Sequence, residues 1–329
     1  MKRLKFAETL VEAVFRRDGP PMLQPYRGYA EPDQLILQGR VVSAVRRAAP
    51  EPDQSRWTNF KEMVSLFFTT EVADVPVTAE GVTTRSNAEG YVTLAVPRAK
   101  DTEGWVTVEA HLANARIEPV QMPVLVPPRD ARFGVISDID DTMMHTGAQS
   151  LLRNLWTTFT GNALTRQIYP DSKALIDRLS DAGRNPVYYV SSSPWNLHSF
   201  LDKVFARVGL VQGPMFLRDL GISDHGVVGA SHQNHKGAAV ATILAANPDL
   251  GFYLLGDTGQ KDAQVYLDAV QRFPGRIRAV LLRQPTRSVN PDAKDALSKI
   301  EQLGVPTYHG PDFKDLPARV LSRDAQAAE

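Results

Sequence analysis

Arg132-Phe-Gly-Val-Ile-Ser-Asp138-Ile-Asp140-Asp141-Thr142 is an apolar run that ends in two carboxylates one residue apart, followed by a hydroxyl. The run reads as a buried parallel strand. Residues i and i+2 of a strand point the same way, so Asp138 and Asp140 face one site if the extended geometry persists. Two like charges at a strand's C-terminal end are costly unless a cation or a shared proton relieves them. The arrangement suits Mg²⁺-assisted phosphoryl chemistry, with one carboxylate as nucleophile and the other as acid and base.

The chain around it has 329 residues, enough for two domains that each bury a core. Apolar residues make up 43% and charged residues 22%, a globular composition. Lys plus Arg number 37 and Asp plus Glu number 37, which argues against a dedicated nucleic-acid binder. The absence of cysteine excludes disulfides, thiolate metal sites and cysteine nucleophiles. No apolar stretch approaches the roughly 20 residues of a transmembrane helix. Met1-Lys-Arg-Leu-Lys starts like a signal peptide, but Glu8 and Glu12 interrupt any hydrophobic region. A cytoplasmic protein is expected.

Residues 1–24 read as an amphipathic helix and linker. Leu4, Ala7, Val11, Val14 and Phe15 recur at helical spacing, with Lys2, Arg3, Lys5, Arg16 and Arg17 at the two ends. Packing on its own protein is the favoured reading of this helix, and contact with anionic lipid at a membrane periphery is the sharper one. Residues 25–126 read as a β-rich domain with strands at Gln34–Ser43, Val75–Thr84, Gly90–Pro97, Gly104–Leu112 and Pro119–Val126, suggesting a β-sandwich. Trp57, Phe60, Met63, Val64 and Phe67 recur at helical spacing and predict one helix within it. No cluster of catalytic residue types appears there.

Pro127-Pro128-Arg-Asp130 marks a linker. Beyond it, over 130–310, strand and helix patterns alternate, the sign of a doubly wound, mostly parallel α/β sheet. Phe133–Ser137, Pro186–Val190, Phe252–Leu255, Ile277–Leu282 and Val305–His309 read as strands. Asp171–Ala182, Asn196–Val208, Gly237–Ala246, Asp262–Gln271 and Asp292–Leu303 read as helices. Residues 311–329 form a polar C-terminal helix or tail.

Open α/β sheets bind ligands at the carboxyl ends of their strands. There stand Asp138-Ile-Asp140-Asp-Thr142, then Ser191-Ser192-Ser193-Pro194-Trp195-Asn196. His235-Lys236 opens a helix, and Gly256-Asp257-Thr-Gly-Gln-Lys-Asp262 follows the next strand. Singly these are ordinary: serines before proline cap helices, Lys236 is a surface charge, and Asp262 caps the helix after it. A calcium loop is discarded because Thr142 and Met143 stand where an oxygen ligand and a glycine are needed. Zinc at His225, His232 and His235 has weak spacing beside an oxygen-rich site. Trp195, Trp156 and Phe159 suit the site entrance and core packing equally. Arg153 and Arg166 lie between Thr142 and Pro170, a stretch with room for a helical flap but not for a large lid.

The conjunction and order of Asp138-x-Asp140-x-Thr142, Ser191, Lys236 and Gly256-Asp257…Asp262 resemble the four motifs of the haloacid dehalogenase superfamily of phosphohydrolases. Val190-Ser-Ser-Ser-Pro-Trp-Asn196, Gly213-Pro-Met-Phe-Leu-Arg-Asp219, His235-Lys236 and Gly256-Asp-Thr-Gly-Gln-Lys-Asp-Ala-Gln-Val-Tyr266 are similar to the catalytic domain of actin-patch-type phosphatidate phosphatases, bacterial relatives included. Phe273-Pro274 and Ala279-Val-Leu-Leu-Arg283 continue the likeness. It covers 130 to about 290 well and 25–126 loosely.

The resemblance implies that Asp138 attacks phosphorus to form an aspartyl-phosphate and that Asp140 shuttles protons. It implies Mg²⁺ on Asp138, the carbonyl of Asp140 and Asp257, with Asp262 on the ion or just behind it. Lys236, Thr142 and Ser191 would offset charge on the phosphoryl oxygens. The expected substrate is a phosphomonoester, phosphatidate by resemblance. A soluble phosphomonoester is the alternative, as is a regulatory scaffold that binds a partner through its β-rich domain.

Overall fold

The computed structural model describes residues 20–43, 71–112, 118–144, 168–218, 232–285 and 289–321. The helices expected at 1–17 and 57–67, together with Arg153, Trp156, Phe159, Arg166 and His225, lie outside the described residues. Two compact units emerge. The first ends at Val124 and the second runs from Leu125 onward, with Ala30–Asp33 and Ala99–Gly104 grouped with the second.

Among its described residues the first unit contains seven strands: β1 (Pro21–Ala30), β2 (Gln34–Ser43), β3 (Pro76–Ala79), β4 (Val82–Arg85), β5 (Tyr91–Pro97), β6 (Gly104–Leu112) and β7 (Val120–Val126). Strict alternation governs β5, where Val92, Leu94 and Val96 are buried and Thr93 and Ala95 face solvent. The strands join in one order, β4-β3-β6-β7-β1-β2-β5. The edge strands β4 and β5 approach within 8 Å between Cα atoms. The sheet is therefore nearly closed, and the expected pair of packed sheets is corrected to one curling sheet.

Two further differences have local causes. The strand expected over Val75–Thr84 is a hairpin, because Glu80 and Gly81 both take positive φ (46° and 77°), as a two-residue primed turn requires. β1 begins inside the stretch read as a linker. Its two prolines and glycine depress strand propensity, yet its neighbours β7 and β2 pair with it on both sides.

The second unit is α/β. Its strands are β8 (Gly134–Asp138), β9 (Val187–Pro194), β10 (Met215–Arg218), β11 (Phe252–Asp257), β12 (Ile277–Arg283) and β13 (Thr307–Gly310). Its helices are α1 (Pro170–Ser180), α2 (His198–Val208), α3 (His232–Ala246), α4 (Asp262–Arg272), α5 (Pro291–Gln302) and α6 (Ala318–Leu321). The sheet order is β10-β9-β8-β11-β12-β13, and every neighbouring pair is parallel. In order of appearance this is 3-2-1-4-5-6, the doubly wound arrangement, with the direction of winding reversing between β8 and β11. Helices α3, α4 and α5 pack in succession as one layer.

Residues of β8 and β11 are buried throughout, as expected of central parallel strands covered on both faces. Gly134 faces the Phe252 ring across the β8–β11 pair, where a Cβ would stand 2.2 Å from the ring. β10 was not foreseen, since four residues are too short to show a period.

Candidate active site

The registers Asp138↔Val190 and Ser137↔Leu255 bring the ends of β8, β9 and β11 to one level. Just beyond that level stand Asp138, Asp140, Ser191 and Asp257, at the carboxyl edge where the winding reverses. The chain after β8 turns sharply. Asp141 adopts a left-handed φ of 56°, its N–H donates to the Met144 carbonyl at 2.7 Å, and Asp140 bridges to Met144. A non-glycine residue held at positive φ is a cost that surrounding structure must sustain, and such sites concentrate where function needs them.

Asp138 is 1% exposed. Its Oδ1 lies 2.7 Å from Lys236 Nζ, and its Oδ2 accepts from Thr142 Oγ1 at 3.2 Å. Burial drives its carboxyl well above the ordinary carboxylate range; the Lys236 ammonium counters this and the charges of Asp262, Asp140 and Asp257 add to it. Asp140 turns to other partners. Its Oδ2 accepts from Ser191 Oγ at 2.6 Å and from Ser193 Oγ at 3.3 Å. Burial raises the Asp140 carboxyl, and the Ser191 hydrogen bond pulls it back.

Lys236, at the first turns of α3, also reaches Asp262 Oδ1 at 2.6 Å. Burial disfavours its charge, but Asp138 and Asp262 outweigh that and hold the ammonium protonated above its ordinary range. Asp262 Oδ2 accepts from the N–H of Asp257 at 3.2 Å. This approach is open because residue 256 is glycine: a Cβ there would stand 2.7 Å from Asp262 Oδ2. Asp257 Oδ1 caps the loop, accepting from Gly259 N at 2.6 Å and Gln260 N at 2.8 Å. Burial and the Asp262 charge push the Asp257 carboxyl up to about 8.

Asp138, Asp257 and Asp262 each offer a carboxylate oxygen within 4.8 Å of the others. Asp257 Oδ2 and Asp140 Oδ1 are buried without a hydrogen-bond partner. Lys236 pairs directly with Asp138 and Asp262, and Asp140 and Asp257 lie close enough to feel its charge, so four buried carboxylates share one buried cation. Orphaned carboxylate oxygens and a hard, all-oxygen donor set fit a divalent cation such as Mg²⁺. Among the described residues the cluster contains no histidine. The His235 ring instead bonds to the backbone of Phe216 and Ser191, which gives no support to the zinc reading. Asp140 is expected at the metal through its carbonyl rather than its carboxylate. Its side chain belongs to the two serines, and its carbonyl accepts from Gln260 Nε2 at 3.3 Å.

β9 continues through Pro194, so Ser191 and Ser193 share the face toward Asp140 while Ser192 alternates away. None of them caps the helix that follows. In the sequence Ser191 reads as a phosphate ligand; here its hydroxyl serves Asp140. Gln260 escaped the sequence reading, although its position inside Gly256-Asp-Thr-Gly-Gln was a signal. It joins three parts of the site, because its Oε1 also accepts from Lys236 at 3.5 Å.

Residues 133–284 match the family model of the phosphatidate phosphatase APP1 catalytic domain. This stretch of the chain is similar to that catalytic-domain family. Over 158 residues, 48% of the chain, it is 29% identical to phosphatidate phosphatase APP1 of Saccharomyces cerevisiae and covers 27% of that protein. An uncharacterised protein of Schizosaccharomyces pombe is 26% identical over 235 residues, 67% of the chain and 37% of the relative. The chain thus spans between about a quarter and two-fifths of these curated relatives. A ferredoxin–NADP⁺ reductase of Plasmodium falciparum covers 80% of the chain and 96% of its own at 8% identity, with a TM-score of 0.22, which carries no argument about fold. No helix among the described residues is long and apolar enough to cross a membrane.

Proposed function

We propose that the chain is a Mg²⁺-dependent phosphatase of haloacid dehalogenase type that hydrolyses a phosphomonoester through an aspartyl-phosphate, with phosphatidate as the leading substrate and diacylglycerol as its product. The observation that carries this reading is Asp138. It is a buried carboxylate held by Lys236 and Thr142 at a sheet's carboxyl edge, with Asp257 and Asp262 close by and excess negative charge between them.

Asp138 serves as the nucleophile. Burial alone would keep it protonated, so the adjacent ammonium of Lys236 favours the carboxylate that attack requires. Asp140 serves as the general acid and base. The Ser191 and Ser193 hydroxyls fix its Oδ2, leaving Oδ1 for the proton that goes to the departing alkoxide and later comes from water. Asp138, Asp257 and the carbonyl of Asp140 would hold Mg²⁺, with Asp262 on the ion or behind it. Bound there, the cation supplies neutralisation of charge developing on the phosphoryl oxygens. Lys236 and the hydroxyl of Thr142 supply the same from the protein.

Identity to a phosphatidate phosphatase in this segment supports the lipid substrate. Such a substrate places the protein at a membrane periphery during turnover. The test is phosphate release from phosphatidate in mixed micelles, beside a soluble phosphomonoester, each with Mg²⁺ and with chelator. Chelator-sensitive release from phosphatidate is expected. Turnover of the soluble ester alone would displace the lipid, and silence on both substrates would end the phosphatase reading.

A further inference from the structure

Arg283 closes β12 and is 2% exposed. Its Nη2 pairs with Asp171 and donates to Ser172 Oγ at 2.7 Å. Nη1 donates to the Pro311 carbonyl at 2.8 Å, and Nε donates to the Thr142 carbonyl at 3.3 Å. The guanidinium plane lies over the Tyr169 ring at 3.9 Å and the Phe313 ring at 4.9 Å. A planar fork with donors in fixed directions and two aromatic faces against it has little freedom to move.

Two of these links lead to the candidate site. The Thr142 carbonyl, which accepts from Arg283 Nε, also accepts from Ser172 Oγ at 2.7 Å. The same residue's hydroxyl donates to Asp138 Oδ2. On the opposite side, Arg283 is in register with Asp257, and its own carbonyl accepts from Thr258 N at 2.8 Å. The turn carrying Thr142 and the loop carrying Asp257 are thus both referred to one buried residue. β8 and β12 are not neighbours in the sheet; β11 separates them, so no backbone ladder ties the Thr142 turn to the end of β12. The Arg283 side chain does.

We propose that Arg283, with Ser172, is a positioning residue that holds the Thr142 turn against the Asp257 loop and so sets the spacing of the carboxylates that receive the cation and the phosphoryl group. The inference rests on the phosphatase reading and deepens it. Groups behind metal ligands commonly carry about 10–100-fold in affinity or activity. Substituting lysine keeps the charge beside Asp171 but loses the fork that reaches Thr142 and Pro311 together.

The test uses the full chain as wild type, Arg283→Lys and Ser172→Ala. It measures Mg²⁺ affinity by calorimetry, kcat and KM on p-nitrophenyl phosphate, and thermal unfolding. Both variants are expected to lose about tenfold in Mg²⁺ affinity and a similar factor in kcat, with KM within about twofold. If Arg283→Lys fails to fold, Ser172→Ala decides, since it deletes one hydroxyl and no charge. Variants that melt earlier but keep wild-type Mg²⁺ affinity and kcat overturn the proposal and leave Arg283 a structural ion pair. A wild type that neither binds Mg²⁺ nor releases phosphate removes the phosphatase reading itself, and this inference with it.

Discussion

Ser191 Oγ donates to Asp140 Oδ2 at 2.6 Å, so a serine that reads in the sequence as a ligand for phosphate is hydrogen-bonded to the carboxylate proposed as acid and base. The bond lowers a carboxyl that burial has raised. Ser191→Ala therefore raises Asp140 further, and the limb of the pH–rate profile on which Asp140 loses its proton moves to higher pH. The accompanying fall in kcat is expected at about 10–100-fold, a share of what acid–base catalysis contributes. Ser192→Ala, on the other face of β9, stays within about twofold of wild type. Equal effects from the two serines would contradict the alternation.

Asp138→Asn removes the attacking oxygen while keeping shape, so the fold survives and phosphate release falls by roughly 10⁴-fold or more, in line with loss of a nucleophile. Circular dichroism checks the fold and a single-turnover assay checks the chemistry. Retained turnover would reassign the nucleophile.

Removal of the cation is expected to silence turnover, and added Mg²⁺ to restore it. A ligand that binds only the folded state stabilises it by about 2.7 kcal/mol at 100-fold over Kd, so thermal unfolding shifts upward with Mg²⁺. Asp257→Asn should abolish that shift, because the Asp257 Oδ2 that stands without a hydrogen-bond partner is a proposed ligand of the ion. A shift that persists in the variant places the cation elsewhere.

Asp171 offers a pH test of stability away from the chemistry. Burial raises its carboxyl, but the Phe313 N–H and the Arg283 guanidinium outweigh this and hold it below its ordinary value. A depressed folded-state value means that the stabilisation is complete above the ordinary carboxylate range, near pH 4, and is lost as pH falls through and below it. Asp171→Asn is expected to cost about 1–3 kcal/mol at pH 7 and to flatten the acid side of the stability profile. Chemical denaturation at pH 7 and pH 3.5 measures both; a cost that is unchanged at pH 3.5 would refute it.

Gly256→Ala places a methyl group 2.7 Å from Asp262 Oδ2 and 2.9 Å from the Tyr266 ring. Overpacking of this kind costs about 1–3 kcal/mol. Because the clash falls on the residue that anchors Lys236, turnover should drop along with the melting temperature. Loss of stability alone would mean that Asp262 can retreat without disturbing the site.

The central strands, their helices and the carboxylate pair were legible in the chain itself, because a parallel strand buried on both faces is an unbroken apolar run and its last polar residues stand at the ligand edge. Asp138, Asp140, Lys236 and Asp257 stood out as chemical types at element ends, and the structure gathers them at one edge of the sheet. What escaped lacked a local signal. Glu80-Gly81 hid a hairpin inside one β-like stretch, β1 was masked by its prolines, and β10 is too short for periodicity. Arg283 carries no mark of the site in its neighbours, and Gln260 is marked only by standing inside Gly256-Asp-Thr-Gly-Gln.

The sequence by itself determined which residues carry charge and at which strand end each appears, since hydrophobic periodicity and element ends are properties of nearest neighbours along the chain. Only the tertiary structure decided the partners. Asp138 took Lys236, Asp140 took Ser191 and Ser193, and Arg283 joined Thr142 to Thr258, all across separations of tens of residues or through parallel register. Hydrogen bonds are directional and end within about 3.5 Å, so which carboxylate a hydroxyl serves is settled by ångström-level placement that no spacing along the chain encodes.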